Sequence, residues 1–177
     1  MNKIILVQQL KSLKKHNYKI IGITRNVVVF SNKNITKSKI NYLNGIFTGL
    51  RWQCVEFARR YLIINHSITF GEIPNAYDIF KLNNFHNLSK NIAHPIDKHS
   101  NGSKILPKVG SLLIWDSTVD ENATGHVAII TKVNFPDYIE VCEQNWHIDK
   151  LNRRIKTTYK NGFYILDKHV IGWINYS

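Results

Sequence analysis

The order in which helical and strand patterns follow one another limits this chain to few architectures. A helix is predicted to begin near Cys54, because apolar residues recur from there at the spacing of one helix face: Cys54, Phe57, Ala58, Tyr61 and Leu62. A second helix is predicted over residues 73–82, where Pro74 stands near the start. β-Branched and aromatic segments then predict strands at 111–116, 126–133 and 138–145, with "GFYILD" and "IGWINY" as further strands near the C-terminus. Helices followed by a run of strands predict an α+β fold with a mainly antiparallel sheet.

The rest of the chain divides into an arm, a hairpin and two long loops. "KIIGITRNVVVFSN" predicts a small β-hairpin with its turn at "TRN", and residues 31–51 and 83–108 are predicted to be loops. A basic N-terminal helix or arm is predicted over residues 1–18, since leucines recur there at helical spacing: Leu6, Leu10 and Leu13. Residues 19–177 then form one domain of ordinary size.

The charge of the chain is high and uneven. The net charge is +12, and ten of the 24 Lys and Arg residues fall within residues 1–55, which contain no Asp or Glu. Such a basic segment attracts polyanions without a specific fit, and it also serves as a solvated face that keeps a protein soluble. No helix-turn-helix, RNP-type or zinc-finger pattern occurs, so specific nucleic-acid binding is not predicted, while polyanion contact through the basic N-terminal region stays open.

The number and spacing of the cysteines indicate in which compartment the protein works and whether it binds a metal. The two cysteines, Cys54 and Cys142, give neither a disulfide framework nor the paired spacings of a zinc site. The apolar run at the N-terminus, from Ile4 to Val7, is too short for a signal peptide or a membrane span. We therefore expect a cytoplasmic protein without a membrane span that uses no metal or other cofactor.

Cys54 is the first candidate for chemistry. It stands where a glycine-containing approach, "GLRWQ", gives way to the predicted helix, and unpaired N–H groups at a helix start lower the pKa of a thiol. An isolated cysteine on an apolar helix face also serves as a core filler. A base close to Cys54 in the fold would favour the nucleophile over the core filler.

His126 is the histidine whose surroundings suit a base. It opens an apolar strand directly after Gly125, whereas most of the other histidines stand in polar segments. If the strands at 126–133 and 138–145 form a hairpin around Phe135 and Pro136, with a loop of two or four residues, paired positions sum to 271. Asn145 then lies opposite His126.

This register decides which side chains share a face with the imidazole. It places Glu143 and Asn145 on the face of His126, and Glu140 and Cys142 on the other face. Either the carboxylate or the amide then orients the ring, and Cys142 is predicted to be buried and inert. An odd loop or a bulge would reverse the assignment.

Gln53 is the candidate for an oxyanion donor. Its side chain, together with the backbone N–H of Cys54, is predicted to donate to the negative oxygen of a tetrahedral intermediate. It is equally readable as a polar residue at the start of a helix.

Six segments in this order carry a resemblance to a known family: "GLRWQCVEFARRYLI", "GSLLIWD", "TGHVAIITKV", "CEQN", "NGFYIL" and "IGWI". They resemble the CHAP amidase domain (cysteine, histidine-dependent amidohydrolase/peptidase), and most closely the amidase domain of glutathionylspermidine synthetase/amidase. The likeness runs from about residue 20 to the C-terminus, so residues 19–177 are expected to form a CHAP amidase domain.

The resemblance implies a papain-like fold and cleavage of amide bonds through a Cys–His pair. It matches Cys54 to the nucleophile, His126 to the general base and Glu143 to the acidic residue that orients the histidine. Gln53 matches the oxyanion-hole position. The resemblance thus selects Glu143 over Asn145 as the orienting residue.

Two further residues match positions that resemble substrate contacts. Arg59 and Asn145 stand where the glutathione part of the substrate is contacted in the glutathionylspermidine relatives. A guanidinium suits a carboxylate or a carbonyl, although an arginine five residues into a helix is ordinarily solvated.

The first function implied is hydrolysis of glutathionylspermidine, or of a related glutathione–polyamine or γ-glutamyl-type amide, through an acyl-thioester. A cationic polyamine would need acids near the pocket to offset the net charge, and the candidates are Glu56, Asp116, Asp120 and Glu121. The alternative is a peptidoglycan amidase or endopeptidase, including a phage- or virus-derived one, which accounts better for the basic region. A non-enzymatic basic binding protein that has kept the fold is the third reading.

Overall fold

A seven-stranded antiparallel sheet forms the centre of the molecule in the computed structural model, which describes residues 18–33, 39–147 and 150–176. Its strands, in spatial order, are β13 (Phe163–Ile165), β12 (Asn152–Tyr159), β11 (Tyr138–Cys142), β10 (His126–Asn134), β9 (Leu112–Trp115), β14 (Val170–Asn175) and β8 (Asp97–Ser100). Three small antiparallel sheets surround it: β1 (Ile20–Thr24) with β2 (Val27–Phe30), β3 (Ile40–Leu43) with β4 (Ile46–Leu50), and β5 (Ile68–Thr69) with β6 (Asn84–Asn87) and β7 (Ile92–Pro95). The predicted α+β class with a mainly antiparallel sheet is confirmed.

The helix α1 (Cys54–His66) covers one face of this sheet. It begins at the predicted residue and buries the predicted apolar side chains from Phe57 to Leu62. They pack against side chains of the three central strands: Leu112, Ile114, Val127, Ile129 and Cys142. Ser67 follows the helix as its C-cap. Its backbone is left-handed, and its N–H donates to the carbonyl oxygens of Leu62 and Ile63.

The opposite face of the sheet builds a second apolar cluster. Alternate residues of β10, such as Ala128 and Ile130, point away from α1 into this cluster. Trp115 and Trp173 are its largest members, and both are fully buried. Because both faces of the central strands are covered, those strands carry near-continuous apolar runs, which is why their sequence signal was strong.

The hairpin of β10 and β11 has the predicted register beside α1, although its turn differs from the prediction. Ile129 pairs with Cys142 and Ile130 with Val141, so paired positions sum to 271 there. Nearer the turn, Asn134 pairs with Tyr138, which leaves an odd loop of three residues, and an irregularity between Ile130 and Lys132 restores the register. The odd loop and the bulge cancel, so His126 and Glu143 keep the same face of the sheet.

Several polar strands were missing from the prediction. Residues 31–51, predicted as a loop, contain β3 and β4, and residues 83–108 contain β6, β7 and β8. β12, which was not predicted at all, reads "NRRIKTTY" and buries Ile155 and Thr157 between charged or polar neighbours. These strands have few β-branched residues on both faces, so their strand character depends on pairing with partners distant in sequence.

The helix predicted over 73–82 is a short 3-10 helix, Ala76–Lys81. It begins after Asn75, whose backbone N–H donates to Oδ2 of Asp78 over 3.1 Å. The N-terminal helix or arm predicted over residues 1–18 lies, apart from Tyr18, outside the described residues. Among the helices that are described, none has the length and hydrophobicity needed to cross a membrane.

A buried polar network fastens the start of α1 to the end of β11, and we call its members Glu56, Arg60 and Gln144 the latch. Nε of Arg60 lies 2.5 Å from Oε1 of Glu56, and Nε2 of Gln144 donates to Oε2 of Glu56 over 3.1 Å. Gln144 also donates to the backbone oxygen of Gln53 over 3.1 Å and accepts a hydrogen bond from the N–H of Phe30 over 2.9 Å. All three residues of the latch are at most 1% exposed.

The latch predicts a large loss of stability when one charge is removed. Arg60→Met should lower the free energy of unfolding by about 3–5 kcal/mol, because it leaves the Glu56 carboxylate buried without its cation. Urea denaturation followed by tryptophan fluorescence measures the change. Lys81→Met is the control, since Lys81 pairs with Asp78 on the surface at 71% exposure, and it should leave the unfolding midpoint unchanged. A loss below about 1 kcal/mol for Arg60→Met would mean that the latch adds little to stability.

Candidate active site

A cavity of about 860 Å³ opens beside the start of α1. It is bounded by the β3–β4 hairpin, the first residues of α1, the segment 72–76, the loop that precedes β10 and the segment that follows β11. The side chains that the sequence singled out and that line it are Gln53, Cys54, Arg59, Asp120, His126 and Asn145. Elements distant in sequence therefore bring most of the predicted site residues to one place.

Cys54 occupies the first position of α1 and is partly exposed toward this cavity. Burial opposes ionisation of its thiol, but the charge and hydrogen bond of His126 and backbone hydrogen bonds at Val127 and Val55 lower its pKa below the ordinary value. The thiol is thus biased toward the thiolate, which is the nucleophilic form.

His126 begins β10 and is 2% exposed. Its Nε2 lies 3.2 Å from Oε2 of Glu143, and its ring also hydrogen-bonds the thiol of Cys54. Although burial works against a charged imidazole, the thiolate and the carboxylate raise the pKa of His126 to about 9. The preceding Gly125 is required, because its φ is +67° and a Cβ there would lie 2.7 Å from the carbonyl oxygen of Trp115.

Glu143 lies on the same face as His126 and is 1% exposed. Its other oxygen accepts a hydrogen bond from Nε of Arg153 over 2.9 Å, and Arg153 also pairs with Asp167. Burial alone would raise the pKa of Glu143, but hydrogen bonds and charges from His126 and Arg153 lower it below the ordinary value. The structure therefore brings Cys54, His126 and Glu143 together, with Cys54 facing the cavity, His126 and Glu143 buried behind it, and Glu143 rather than Asn145 on the imidazole.

Arg153 is a site residue that sequence reasoning missed. It lies on β12 opposite Val141, a position that puts it on the face of Glu143. Its guanidinium stands 5.3 Å from the ring of Trp115 and 5.5 Å from that of Trp146, and Trp146 in turn lies 4.7 Å from the ring of His126. Because β12 itself was not predicted, no sequence pattern could have placed Arg153 beside Glu143.

Gln53 occupies the N-cap position of α1 without a capping hydrogen bond from its side chain, and it lines the cavity next to Cys54. Its Oε1 accepts a hydrogen bond from Nδ2 of Asn145 over 2.5 Å, so its amide nitrogen is the end that can meet a substrate oxygen. Asn145 in turn accepts from Nδ2 of Asn32 over 2.8 Å. Both polar ends of the Asn145 side chain are therefore engaged by the protein.

Arg59 lines the cavity but is only 2% exposed. Its three nitrogens donate to the carbonyl oxygens of Thr48, Phe70 and Gly71 over 2.6–3.1 Å. Burial lowers the pKa of Arg59 to about 10, against the opposing charges of Glu72 and Glu56. In this geometry the guanidinium holds two segments of the cavity wall together.

The acidic side chains near the cavity differ from those expected. Glu56 belongs to the latch and does not face a substrate, and Asp116 caps a 3-10 helix, Ser117–Val119. Glu72, which was not singled out, and Asp120 line the cavity. Among the described residues, the cavity wall contains no lysine.

The comparisons with known proteins agree with the arrangement of these residues. The family model described as "CHAP domain" matches residues 45–145, a span that contains Cys54, His126 and Glu143. The bifunctional glutathionylspermidine synthetase/amidase of Escherichia coli (strain K12) is 34% identical over 145 residues, which make up 76% of this chain and 23% of that protein. Trypanothione synthetase of Crithidia fasciculata is 29% identical over 145 residues, or 75% of this chain and 22% of that protein.

The crystal structure of Ly7917 shows a partial likeness, with 18% identity and a TM-score of 0.43 over 70% of this chain and 53% of its own. The chain spans less than a quarter of the length of the two curated relatives described above. The family model covers more than half of the chain. The chain therefore belongs to the CHAP domain family and to its class of cysteine- and histidine-dependent hydrolases.

Proposed function

We propose that this protein hydrolyses a C–N amide bond through an acyl-thioester on Cys54. The observation that carries the proposal is the series of contacts from Cys54 at the cavity through His126 to Glu143, because it pairs a thiol of lowered pKa with an imidazole of raised pKa. A nucleophile, a base and a group that orients the base are the parts that covalent acyl transfer requires.

Each step of the reaction has a residue in position. The thiolate of Cys54 attacks the carbonyl carbon, and the electron pair of the C=O bond moves to oxygen, where the N–H of Cys54 and the amide nitrogen of Gln53 stabilise it. The imidazolium of His126 gives its proton to the leaving nitrogen as the C–N bond breaks. Water then attacks the thioester, neutral His126 accepts its proton, and the acid and the thiolate are released.

This division of labour supports the papain-like fold that the resemblance implies. The nucleophile comes from a helix start, and the base and its orienting acid come from the adjoining antiparallel strands. Glu143 keeps the imidazole ring oriented, and Arg153 keeps Glu143 ionised.

We propose glutathionylspermidine or a related glutathione–polyamine amide as the substrate. The leaving amine must lie within reach of His126, and the loop that precedes His126 carries Asp120 into the cavity wall, as the segment after β5 carries Glu72. Among the described residues the cavity wall sets two carboxylates, Glu72 and Asp120, against one buried guanidinium, Arg59, and it has no lysine. In a protein of net charge +12 this local balance favours a leaving group that bears positive charge. The E. coli relative named for glutathionylspermidine supports this choice.

The second candidate substrate is peptidoglycan. The observation in its favour is the excess of Lys and Arg in residues 1–55, which suits an acidic wall polymer. Such a polymer would have to present its amide to the same Cys54. The cysteines described as free, Cys54 and Cys142, suit a reducing compartment, so we place the reaction in the cytoplasm, where a small amide is the better substrate.

Alkylation tests the activated thiol. Iodoacetamide should label Cys54 faster than an ordinary thiol at pH 7, because the pKa of Cys54 is lowered and the imidazolium that stabilises the thiolate persists up to a pKa of about 9. In His126→Ala the labelling rate should fall about tenfold or more at pH 7 and rise only toward the ordinary thiol pKa of about 8.5. Cys54→Ala controls for Cys142, whose pKa burial raises to about 12, and should show no labelling. Equal rates in the wild type and His126→Ala would contradict the proposal.

Product release tests the substrate. Incubation with glutathionylspermidine should give glutathione and spermidine in equal amounts, and Cys54→Ala should lower kcat by about 10³-fold or more, because the thioester can no longer form. The measurement is chromatography of the released amine. A parallel incubation with purified peptidoglycan decides the alternative, since new amine or carboxyl groups from the wall polymer alone would replace the first substrate by the second.

The acidic wall predicts selectivity for a charged leaving group. Glu72→Gln combined with Asp120→Asn should raise KM for glutathionylspermidine on the order of tenfold, since each exposed ion pair contributes up to about 1 kcal/mol. KM for glutathione ethylamide, whose leaving amine has no second charge, should stay unchanged. Glu121→Gln is the matched control, because it removes an exposed acid of the same loop that is not among the cavity-lining residues. An equal rise for both substrates would assign the acids a structural role instead.

A further inference from the structure

Three side-chain amides stand in a row along one wall of the cavity. Nδ2 of Asn32 donates to Oδ1 of Asn145 over 2.8 Å, and Nδ2 of Asn145 donates to Oε1 of Gln53 over 2.5 Å. All three residues line the cavity that holds Cys54. The row ends on Gln53, the residue directly before the nucleophile.

The segment after β11 holds Gln53 at two points. Gln144 binds its backbone oxygen over 3.1 Å, and Asn145 binds its side-chain oxygen. Asn145 can turn toward Gln53 because its backbone is left-handed, with φ of +62°, a conformation that asparagine adopts more readily than most residues. The main chain and the side chain of Gln53 are thus both fixed from the strand end that carries Glu143.

The orientation of the Gln53 amide decides what it does to an oxyanion. With its oxygen held by Asn145, the NH₂ end is free to donate toward negative charge beside Cys54. Rotated by half a turn, the same side chain would present its oxygen to that charge and repel it. A catalytic amide therefore needs a partner that fixes which end faces the substrate.

We propose that Asn145 is a positioning residue that acts through Gln53 and keeps its amide nitrogen directed at the developing oxyanion. The proposal rests on the proposed amide hydrolysis. It differs from the substrate contact that the resemblance implies for Asn145, because it uses the hydrogen bonds that this side chain makes to its protein partners. A positioning residue of this kind affects the chemical step rather than the binding of the ground state.

A double-mutant cycle between Asn145 and Gln53 tests the proposal. Asn145→Asp replaces the donor with an acceptor and should turn the Gln53 amide around, so kcat should fall about 10²-fold with KM within a factor of about two, the loss seen on removal of one oxyanion donor. Gln53→Ala should cause a similar fall. The double variant should be no slower than Gln53→Ala alone, because the two residues act as one unit.

Two further variants separate charge and folding from positioning. Asn145→Gly keeps the left-handed backbone, adds no charge and should lower kcat less than Asn145→Asp, since Gln53 is then free rather than reversed. Asn161→Asp adds the same carboxylate at another exposed, left-handed asparagine that does not line the cavity, and it should leave kcat within about twofold, because a lone exposed charge contributes little. Multiplicative losses in the double variant, or a rise in KM with kcat unchanged, would overturn the proposal.

A peptide aldehyde ending in glycinal gives a readout independent of the natural substrate. It adds to the thiolate of Cys54 as a hemithioacetal whose oxygen occupies the oxyanion position, so its Kd should rise in Asn145→Asp by a factor similar to that in Gln53→Ala. If the wild type binds the aldehyde and cleaves no amide tested, the proposed function fails while the cycle measured on Kd still decides this inference. An unchanged Kd in Asn145→Asp, or no hemithioacetal in the wild type, would refute it.

Discussion

The contact between the start of α1 and the end of β11 is the constraint on which the site depends. Neither element alone carries a complete catalytic unit, since Cys54 belongs to the helix, and His126 and Glu143 belong to the sheet. The latch of Glu56, Arg60 and Gln144 fixes the distance between them with charged hydrogen bonds in a dry interior, where a misplaced partner is costly. Because such bonds require close approach, the latch defines the gap between thiol and imidazole more sharply than apolar packing alone would.

Three consecutive residues after β11 make the contacts between the end of this strand, the imidazole of His126 and the start of α1. Glu143 binds the imidazole, Gln144 binds the helix start, and Asn145 binds the side chain of Gln53. In an extended strand, alternate residues point to opposite sides, so Glu143 and Gln144 reach the two sides of the sheet end. The left-handed backbone at Asn145 then directs the chain back toward the cavity. The short segment "EQN" thereby places a charge, a structural clamp and an amide around one nucleophile.

The sequence predicted the parts of this structure that depend on local pattern. The apolar face of α1 and the strands that carry His126 and Glu143 follow from spacing, and a fully buried sheet reinforces that signal with near-continuous apolar runs. β12 escaped prediction because its residues are mostly charged, and its strand form comes from pairing with β11. The roles of Arg153, Arg59 and Gln144 were out of reach for the same reason, since their partners lie ten residues or more away and are met only after folding.

The β10–β11 hairpin limits how the number of residues between His126 and Glu143 can change. Which face a side chain takes is a matter of odd and even counting, and here a turn of three residues and a bulge at Thr131 each change the count by one. Because the two shifts cancel, His126 and Glu143 stay on the same face of the sheet, and the imidazole meets the carboxylate. Two compensating insertions or deletions in this hairpin would therefore keep the imidazole of His126 and the carboxylate of Glu143 on the same face of the sheet. A single insertion or deletion would move them to opposite faces without altering any catalytic residue.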